Sequence, residues 1–304
     1  SRYGIENNIK AEINTETGSI TLMRLLEIVE KVEDFSTQIN IEDAKLKNPE
    51  LLIRVISSIV MIFLGAFFLV IGGTIFKIIL ILISAILAWE IFSFNHLHKH
   101  IRILTAIFFA LIFATYILFS QTLSLILLII FLIFYKVIIK HNDYAQRSIY
   151  LILIFFSLIT LSDLRLEVGL VQTLWVICCV IASDVGGYFV GRTVGGPKLW
   201  PIISPKKTWS GIIGGWLLTM IITYIFIIMF KEIEFYLLFF SIFISIFSQF
   251  GDLYESFLKR NAGIKDSSNL IPGHGGFLDR FDGMIGAFFA VFIINFININ
   301  NWIY

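Results

Sequence analysis

The feature that most constrains the fold of this chain is a series of long apolar stretches that begins at Leu51 and continues to its last residues. Each stretch is close to the roughly twenty residues that an α-helix needs to cross the hydrocarbon core of a bilayer. The chain is 58% hydrophobic and only 15% charged, far outside the usual composition of soluble proteins. We therefore predict an all-α polytopic membrane protein with about nine transmembrane helices. The predicted segments are 51–71, 75–95, 101–119, 122–139, 148–162, 166–190, 211–230, 234–250 and 283–300.

The lysine and arginine residues between these segments predict how the helices are oriented, because short loops rich in these residues stay on the cytoplasmic side. With the amino terminus inside, the outer loops hold only Lys77, Arg165 and Lys231. The inner loops hold Lys99, Arg102, Lys140, Arg147, Arg192, Lys198, Lys206, Lys207, Lys259, Arg260, Lys265 and Arg280. This asymmetry predicts an N-in/C-out topology with both long polar loops on the cytoplasmic face.

Residues 1–50 differ in character from the rest of the chain, since they carry mixed charges and a strand-like alternation around Ile9 to Ile13. No charged segment leads into an apolar one here, so we do not read a signal peptide. The stretch is similar to part of the N-terminal domain of the transcription factor NusA. We expect a small soluble α/β-like fragment that is poorly ordered or an accidental fusion, because half a domain cannot bury enough surface. The alternative is an appendage that binds RNA polymerase.

A polar island lies between the last two apolar segments and concentrates the acidic, basic and glycine residues that could carry chemistry. Asp279 and Asp282 are three residues apart at the start of the last segment, so they project from one helical face. Asp252, just after the eighth segment, is the candidate third carboxylate. Such oxygen ligands bind divalent cations such as Mg²⁺ when substrate phosphate or water completes the shell. The alternative is that these acids only stabilise a helix amino terminus.

A second polar stretch follows the sixth segment and contains Ser204, Pro205, Lys206 and Lys207. Serine is a good N-cap and proline a good first helical residue, so we predict that the seventh helix begins here. Both lysines would then lie in the first turn beside free backbone N–H groups, which predicts a phosphate-binding site. The alternative is that the lysines only set the topology.

Other polar residues on the predicted cytoplasmic face are weaker candidates. Asp184 lies near the end of a long apolar segment, where a carboxylate needs a metal or a basic partner. Lys259, Arg260 and Lys265 are either phosphate ligands or further topology markers. His274 is surrounded by glycines that allow close approach of a ligand, although a single loop histidine is more often an ordinary surface residue.

The motifs resemble those of the CDP-diacylglycerol synthases, also called phosphatidate cytidylyltransferases (the CdsA family). The residues that carry the resemblance are Ser256-Phe-Leu-Lys-Arg-Asn-Ala-Gly-Ile-Lys-Asp266, Leu270-Ile-Pro-Gly-His-Gly-Gly276 and Phe277-Leu-Asp-Arg-Phe-Asp282. Upstream, Ser183-Asp184, Gly191-Arg192 and Ile203-Ser-Pro-Lys-Lys-Thr-Trp209 are similar to a second family block. The resemblance covers about Leu51 to the end, with departures at Gly187 and Ser210.

The resemblance implies transfer of CMP from CTP to phosphatidic acid, giving CDP-diacylglycerol and pyrophosphate for phospholipid biosynthesis. It implies Mg²⁺ as cofactor, with a second cation left open, and metal ligands Asp252, Asp279 and Asp282. The implied catalytic residues are Asp252, Asp279, Lys259, Arg260 and His274. The implied substrate-binding residues are Ser204, Lys206, Lys207, Thr208, Lys265, Asp266, Arg280, Asp184 and Arg192.

The partners implied are CTP, phosphatidic acid and the lipid bilayer of a bacterial cytoplasmic (inner) membrane, with the active site facing the cytoplasm. A homodimer is compatible with the resemblance. The net charge of +1 gives no reason to expect a nucleic acid partner. Two alternatives from other classes are a membrane transporter with a polar site on the cytoplasmic face and a membrane-tethered transcription adaptor.

The predicted topology can be tested with single cysteines and thiol reagents that do not cross membranes. We expect cysteines at Asn142 and Ser268 to be shielded in intact cells, and a cysteine placed after Tyr304 to be labelled. Labelling at position 268 without labelling after Tyr304 would contradict the predicted orientation.

Overall fold

A computed structural model of the protein describes residues 49–94, 98–138, 144–230 and 233–297. The predicted soluble fragment at residues 1–50 therefore lies outside the described residues, except for the first two residues of the first helix.

The described residues form nine α-helices, one π-helical turn and one β-hairpin. They are α1 (Pro49–Ile71), α2 (Gly73–Ser93), α3 (Lys99–Leu118), α4 (Gln121–Ile138), α5 (Tyr144–Asp163), the π-turn (Leu164–Val168), α6 (Leu170–Thr193), β1 (Lys198–Trp200), β2 (Ser204–Thr208), α7 (Trp209–Met229), α8 (Leu237–Asn261) and α9 (Leu278–Phe296).

The predicted class of an all-α polytopic membrane protein is confirmed. Within the described residues, seven helical segments are long and apolar enough to cross a membrane, including the continuous stretch through α5 and the π-turn. The apolar part of α4, Gln121–Val137, is shorter, and α9 begins with the charged residues Asp279, Arg280 and Asp282. The predicted count of nine spans stays a prediction.

The eighth helix is longer than its apolar segment, and this corrects the predicted position of Asp252. The segment 234–250 ends before Asp252, but α8 continues to Asn261 and places this aspartate inside the helix. Hydropathy marks only the part of a helix that is apolar on all sides, whereas the last three turns of α8 bury one face and expose polar residues on the other.

The predicted start of the seventh helix at Ser204 and Pro205 is wrong. These residues belong to β2, which pairs antiparallel with β1 through Lys198 with Thr208 and Trp200 with Ser204. The helix begins at Trp209, and its N-cap is Thr208, whose hydroxyl accepts the Gly211 N–H at 3.2 Å. Local capping signals could not separate the two candidates, because Ser204 and Thr208 are both residues favoured at an N-cap. The two lysines therefore lie on a strand and not in a helical turn.

Helices α8 and α9 cross at very short distance because glycines lie at their contact. A Cβ atom added at Gly286 would collide with the backbone carbonyl of Phe247, and one added at Gly251 would collide with that of Asp282. Helices α6 and α7 cross in a similar way at Gly186 and Gly214. Small residues allow this approach in membrane proteins, where packing of surfaces replaces the hydrophobic drive available in water. The α8–α9 crossing brings Asp252 beside the first turns of α9.

We predict that Gly286→Ala lowers the thermal stability of the detergent-solubilised protein, because overpacking a tight contact typically costs about 1–3 kcal/mol. Gly65→Ala in α1 is the matched control, since a Cβ there meets no atom within 4 Å. The measurement is the unfolding temperature of both variants and the parent protein. Equal unfolding temperatures for all three proteins would contradict the close crossing.

Candidate active site

An ion pair between the hairpin and α8 forms one half of the candidate site. Lys207 on β2 places its Nζ 2.6 Å from Oδ2 of Asp252. The side chains are 25% and 31% exposed, so both remain accessible from outside the helical bundle. Ser256, one turn later in α8, donates its hydroxyl to Oδ1 of Asp252 at 3.3 Å. The hairpin thus places the ammonium group of Lys207 beside the carboxylate of Asp252, a pairing that the sequence alone did not predict.

Two further carboxylates lie near this ion pair. Asp184 on α6 is close enough to Asp252 for mutual repulsion and close enough to Lys207 for attraction, and it makes no hydrogen bond or ion pair with any described residue. Asp282 on α9 is likewise repelled by Asp252 and Asp184, while its Oδ1 accepts the N–H of Gly283 at 2.7 Å. Three helices therefore converge on one acidic cluster, defined here as Asp184, Asp252 and Asp282.

The other half of the site is built around Asp279 in the first turn of α9. Its Oδ1 accepts from Nζ of Lys259 at 2.7 Å, and its Oδ2 accepts from the backbone N–H groups of Ser267 at 2.9 Å and Gly276 at 2.7 Å. Lys259 is buried and also forms an ion pair with Glu255, one turn earlier in α8. These donors favour the carboxylate form of Asp279 and tie α8, α9 and the loop between them together.

Glu90 is a fully buried carboxylate on α2 that binds the same loop. It accepts from the hydroxyls of Ser267 at 3.0 Å and Ser268 at 2.5 Å. It also accepts the backbone N–H groups of Phe277 at 2.9 Å and Leu278 at 2.5 Å, at the very start of α9. Glu90 therefore caps α9 from a distant helix, in a position where the helix dipole favours negative charge.

His274 and its glycines attach the loop to α1. The ring nitrogens Nδ1 and Nε2 of His274 lie 2.8 Å and 3.1 Å from the hydroxyls of Ser57 and Ser58. Gly275 has φ of +85°, and a Cβ there would lie 2.9 Å from Oδ2 of Asp279, so only glycine fits. With both ring nitrogens engaged, His274 acts in this structure as an anchor of the loop.

The other residues predicted for the site are spread around these two halves. Lys206, Lys265 and Asp266 are exposed and form no ion pair with a described residue. Arg260 donates to the carbonyl of Ile264 at 2.9 Å, and Arg280 donates to that of His274 at 2.8 Å.

Three predicted residues make local contacts in the hairpin and in α6. Arg192 donates to the hydroxyl of Tyr188 at 2.7 Å, one turn earlier on α6. Ser204 pairs in the hairpin, and the Thr208 side chain is used as the helix cap.

Sequence reasoning missed Glu90, Glu255, Ser267 and the serine pair Ser57 and Ser58. The sequence does indicate a role for Glu90, because burying a carboxylate within an apolar span costs free energy unless it has partners. The serines had none, since a hydroxyl in an apolar helix can hydrogen-bond to its own backbone.

Among the described residues, no group of three or more histidine, cysteine or carboxylate side chains is arranged to hold a metal ion. Mg²⁺ is nevertheless commonly held by one or two carboxylates plus substrate phosphates and water. The acidic cluster supplies oxygen ligands of this kind, and its carboxylates together with Asp279 and Glu255 outnumber the ammonium groups of Lys207 and Lys259. The donor chemistry therefore fits a divalent cation that shares its ligands with a bound anion.

Comparison with known proteins identifies the family to which the chain is related. Residues 52–298 match the family model described as "Cytidylyltransferase family", which covers most of the chain. Residues 1–62 match the model of the NusA N-terminal domain, as the sequence resemblance predicted.

The chain is also similar to individual bacterial proteins named "Phosphatidate cytidylyltransferase". The protein from Bacillus subtilis (strain 168) is 37% identical over 166 residues, which cover 52% of this chain and 61% of the relative. The protein from Staphylococcus haemolyticus is 46% identical over 119 residues, covering 38% and 46%. That from Staphylococcus saprophyticus is 38% identical over 171 residues, covering 54% and 65%. The chain thus spans less than two thirds of the length of each of these relatives.

We predict that Glu90→Gln loosens the loop and lowers stability, because an amide offers one acceptor where a carboxylate received four hydrogen bonds. The expected cost is about 1–3 kcal/mol of unfolding free energy, seen as a lower unfolding temperature and faster proteolysis between residues 262 and 277. Glu167→Gln is the control, since Glu167 is exposed in the π-turn. A variant as stable and protease-resistant as the control would contradict the role of Glu90.

Proposed function

Because the chain belongs to the cytidylyltransferase family, we propose that it transfers CMP from CTP to phosphatidic acid, giving CDP-diacylglycerol and pyrophosphate. The observation that carries this proposal is the accessible ion pair between Lys207 and Asp252. Asp252 belongs to the acidic cluster, and Lys207 lies in one of the motifs that resemble that family. The family match favours the transferase over a transporter or a transcription adaptor. The relatives named phosphatidate cytidylyltransferase support the choice of substrates.

In the proposed reaction, an oxygen of the lipid phosphate attacks the α-phosphorus of CTP. A new P–O bond forms, the bond from the α-phosphorus to the bridging oxygen breaks, and pyrophosphate leaves with the electron pair. A phosphate monoester is largely ionised at neutral pH, because its second pKa is about 6, so the nucleophile needs no strong general base. The task of the protein is to position two polyanions and to balance their charge.

We assign Mg²⁺ binding to Asp252, Asp279 and Asp282, with CTP phosphates and water supplying the other ligands. When bound, the ion would neutralise negative charge on the triphosphate. Asp252 and Asp282 lie in the acidic cluster, whereas both oxygens of Asp279 already accept hydrogen bonds. Asp279 can bind the ion only if Lys259 releases the Asp279 carboxylate and binds a substrate phosphate instead. Binding of the substrate would then be coupled to binding of the metal.

The lysines are proposed to bind phosphate groups. Lys207 is held beside Asp252, and the exposed Lys206 precedes it on the same strand. Lys259 lies at the junction of α8 and α9, between Glu255 and Asp279. The exposed cations Arg192, Lys265 and Arg280 would extend the positive surface toward solvent. His274 would position the loop, because both of its ring nitrogens contact serines of α1.

The protein is a multi-pass membrane protein, and we propose that the site faces the cytoplasm of a bacterial cell from its inner membrane. The distribution of lysine and arginine supports this side, as does the need for CTP. We assign the activity to residues 51–304 and expect it to be independent of residues 1–50.

The proposal is tested by following CTP- and Mg²⁺-dependent formation of CDP-diacylglycerol by the purified protein. We expect Asp252→Asn to lower the rate about a hundredfold or more, close to 3 kcal/mol of barrier, because it removes an anionic ligand while the shape of the side chain is kept. Asp163→Asn is the control, since Asp163 accepts from Tyr116 at the end of α5. It should keep turnover within about twofold.

Two results would contradict parts of this proposal. Parent protein that forms no CDP-diacylglycerol from both substrates would overturn the function. Near-normal turnover of a well-folded Asp252→Asn variant would leave the function standing and reject the metal assignment.

A further inference from the structure

A cavity of about 490 Å³ lies between the hairpin, α7 and α8, and its volume is typical of a small-molecule site. Its walls are almost entirely apolar. They include Leu199, Ile203, Ile212, Ile246, Leu253 and Phe257. No residue assigned above to phosphate or metal binding lines this cavity. We therefore infer its occupant from the chemical character of its walls.

Among the polar groups that line the cavity, Gln249 and Tyr254 already make hydrogen bonds, whereas Trp216 makes none with a described residue. Gln249 donates its amide to the Ser183 hydroxyl at 3.2 Å and to the Ile212 carbonyl at 3.3 Å. The hydroxyl of Tyr254 donates to the Gln146 carbonyl at 2.9 Å, and the indole nitrogen of Trp216 is buried without a hydrogen-bond partner among the described residues. A cytosine base placed here would lose its hydrogen bonds to water and find few replacements beyond the Trp216 N–H, which is costly. A hydrocarbon chain has no such requirement and gains from burial.

The cavity adjoins the ion pair of the candidate site through the same two elements. Leu253 follows Asp252 directly in α8, and Ile203 lies in the turn that leads into the strand of Lys207. A molecule with an apolar tail in the cavity would therefore place an anionic head near the ammonium group of Lys207. Phosphatidic acid has this combination of charge and hydrocarbon.

The edge of the cavity is itself apolar and open to the surroundings. Trp200, Trp209 and Phe250 line the cavity and are 53%, 49% and 62% exposed. Tryptophan is enriched where membrane proteins meet the boundary between lipid and water. An exposed apolar edge of this kind is suited to sideways entry of a lipid tail.

We propose that this cavity holds one acyl chain of the lipid substrate, with the substrate phosphate at Lys207. This assignment rests on the proposed function and names the lipid subsite within it. The second acyl chain stays in the bilayer. The cavity wall then selects for the presence of a long acyl chain, while the lysines and carboxylates select for the phosphate.

The first test uses the parent protein and needs no turnover. Phosphatidic acid that carries a diazirine near the end of one acyl chain is photolysed with the protein in detergent, and the labelled peptides are identified by mass spectrometry. We expect labelling in residues 199–216 and 246–257 that is suppressed by excess unlabelled phosphatidic acid and not by phosphatidylcholine with the same chains. Labelling spread over all exposed helices, with no suppression by phosphatidic acid, would overturn the proposal.

The second test fills the cavity. Ile246→Trp should raise the KM for dioleoyl phosphatidic acid about fivefold or more, because the chain loses its binding space, and should leave the KM for CTP unchanged. Water-soluble dihexanoyl phosphatidic acid, whose chains are short, should be affected less than about twofold. Phe239→Trp is the control, since Phe239 lies on the same helix and is 67% exposed outside the cavity.

The outcomes separate the inference from the function on which it rests. An active parent protein whose KM for the long-chain lipid is the same in Ile246→Trp and Phe239→Trp would reject the cavity as the acyl site. If Ile246→Trp does not fold, the labelling pattern of the parent protein decides. Parent protein without any transferase activity would instead reject the proposed function, whatever the labelling shows.

Discussion

The site depends on one constraint, which is that a carboxylate placed among apolar helices must find donors inside the protein. Glu90 meets it with two hydroxyls and two backbone N–H groups, and Asp279 meets it with Lys259 and the backbone of the loop. Burying either carboxylate without donors would cost free energy, whereas each one stabilises the fold once its hydrogen bonds are formed. Because the donors come from α8, from the loop and from the start of α9, these two acids fix the shape of the polar island.

Close packing of α8 and α9 is the second constraint on the candidate site. Gly251 and Gly286 let α8 and α9 approach until backbone meets backbone, and this brings Asp252 near Asp282. A larger residue at either glycine would push the two carboxylates apart. The small residues that let the two helices pack closely thus also set the distance between these two carboxylates.

The hairpin connects the charged site to the apolar cavity. One strand carries Lys207 toward Asp252, and the turn beside it contributes Ile203 to the cavity wall. A substrate that is anionic at one end and hydrocarbon at the other needs both surfaces at once. In this chain they are neighbours because the same hairpin carries Lys207 on its second strand and Ile203 in its turn.

The sequence by itself determined the membrane class, the approximate positions of the helices and the acidic residues of the candidate site. These features are local, since hydropathy and motif spacing are read along the chain. Only the tertiary structure decided that Lys207 lies on a strand, that Asp252 lies within a helix, and that Glu90 caps α9. The start of α7 is decided by the pairing of β1 with β2, which capping preferences do not report, and Glu90 is satisfied by residues about 180 positions later. A local pattern can show that a buried charge needs a partner, but the partner is chosen by how the helices pack.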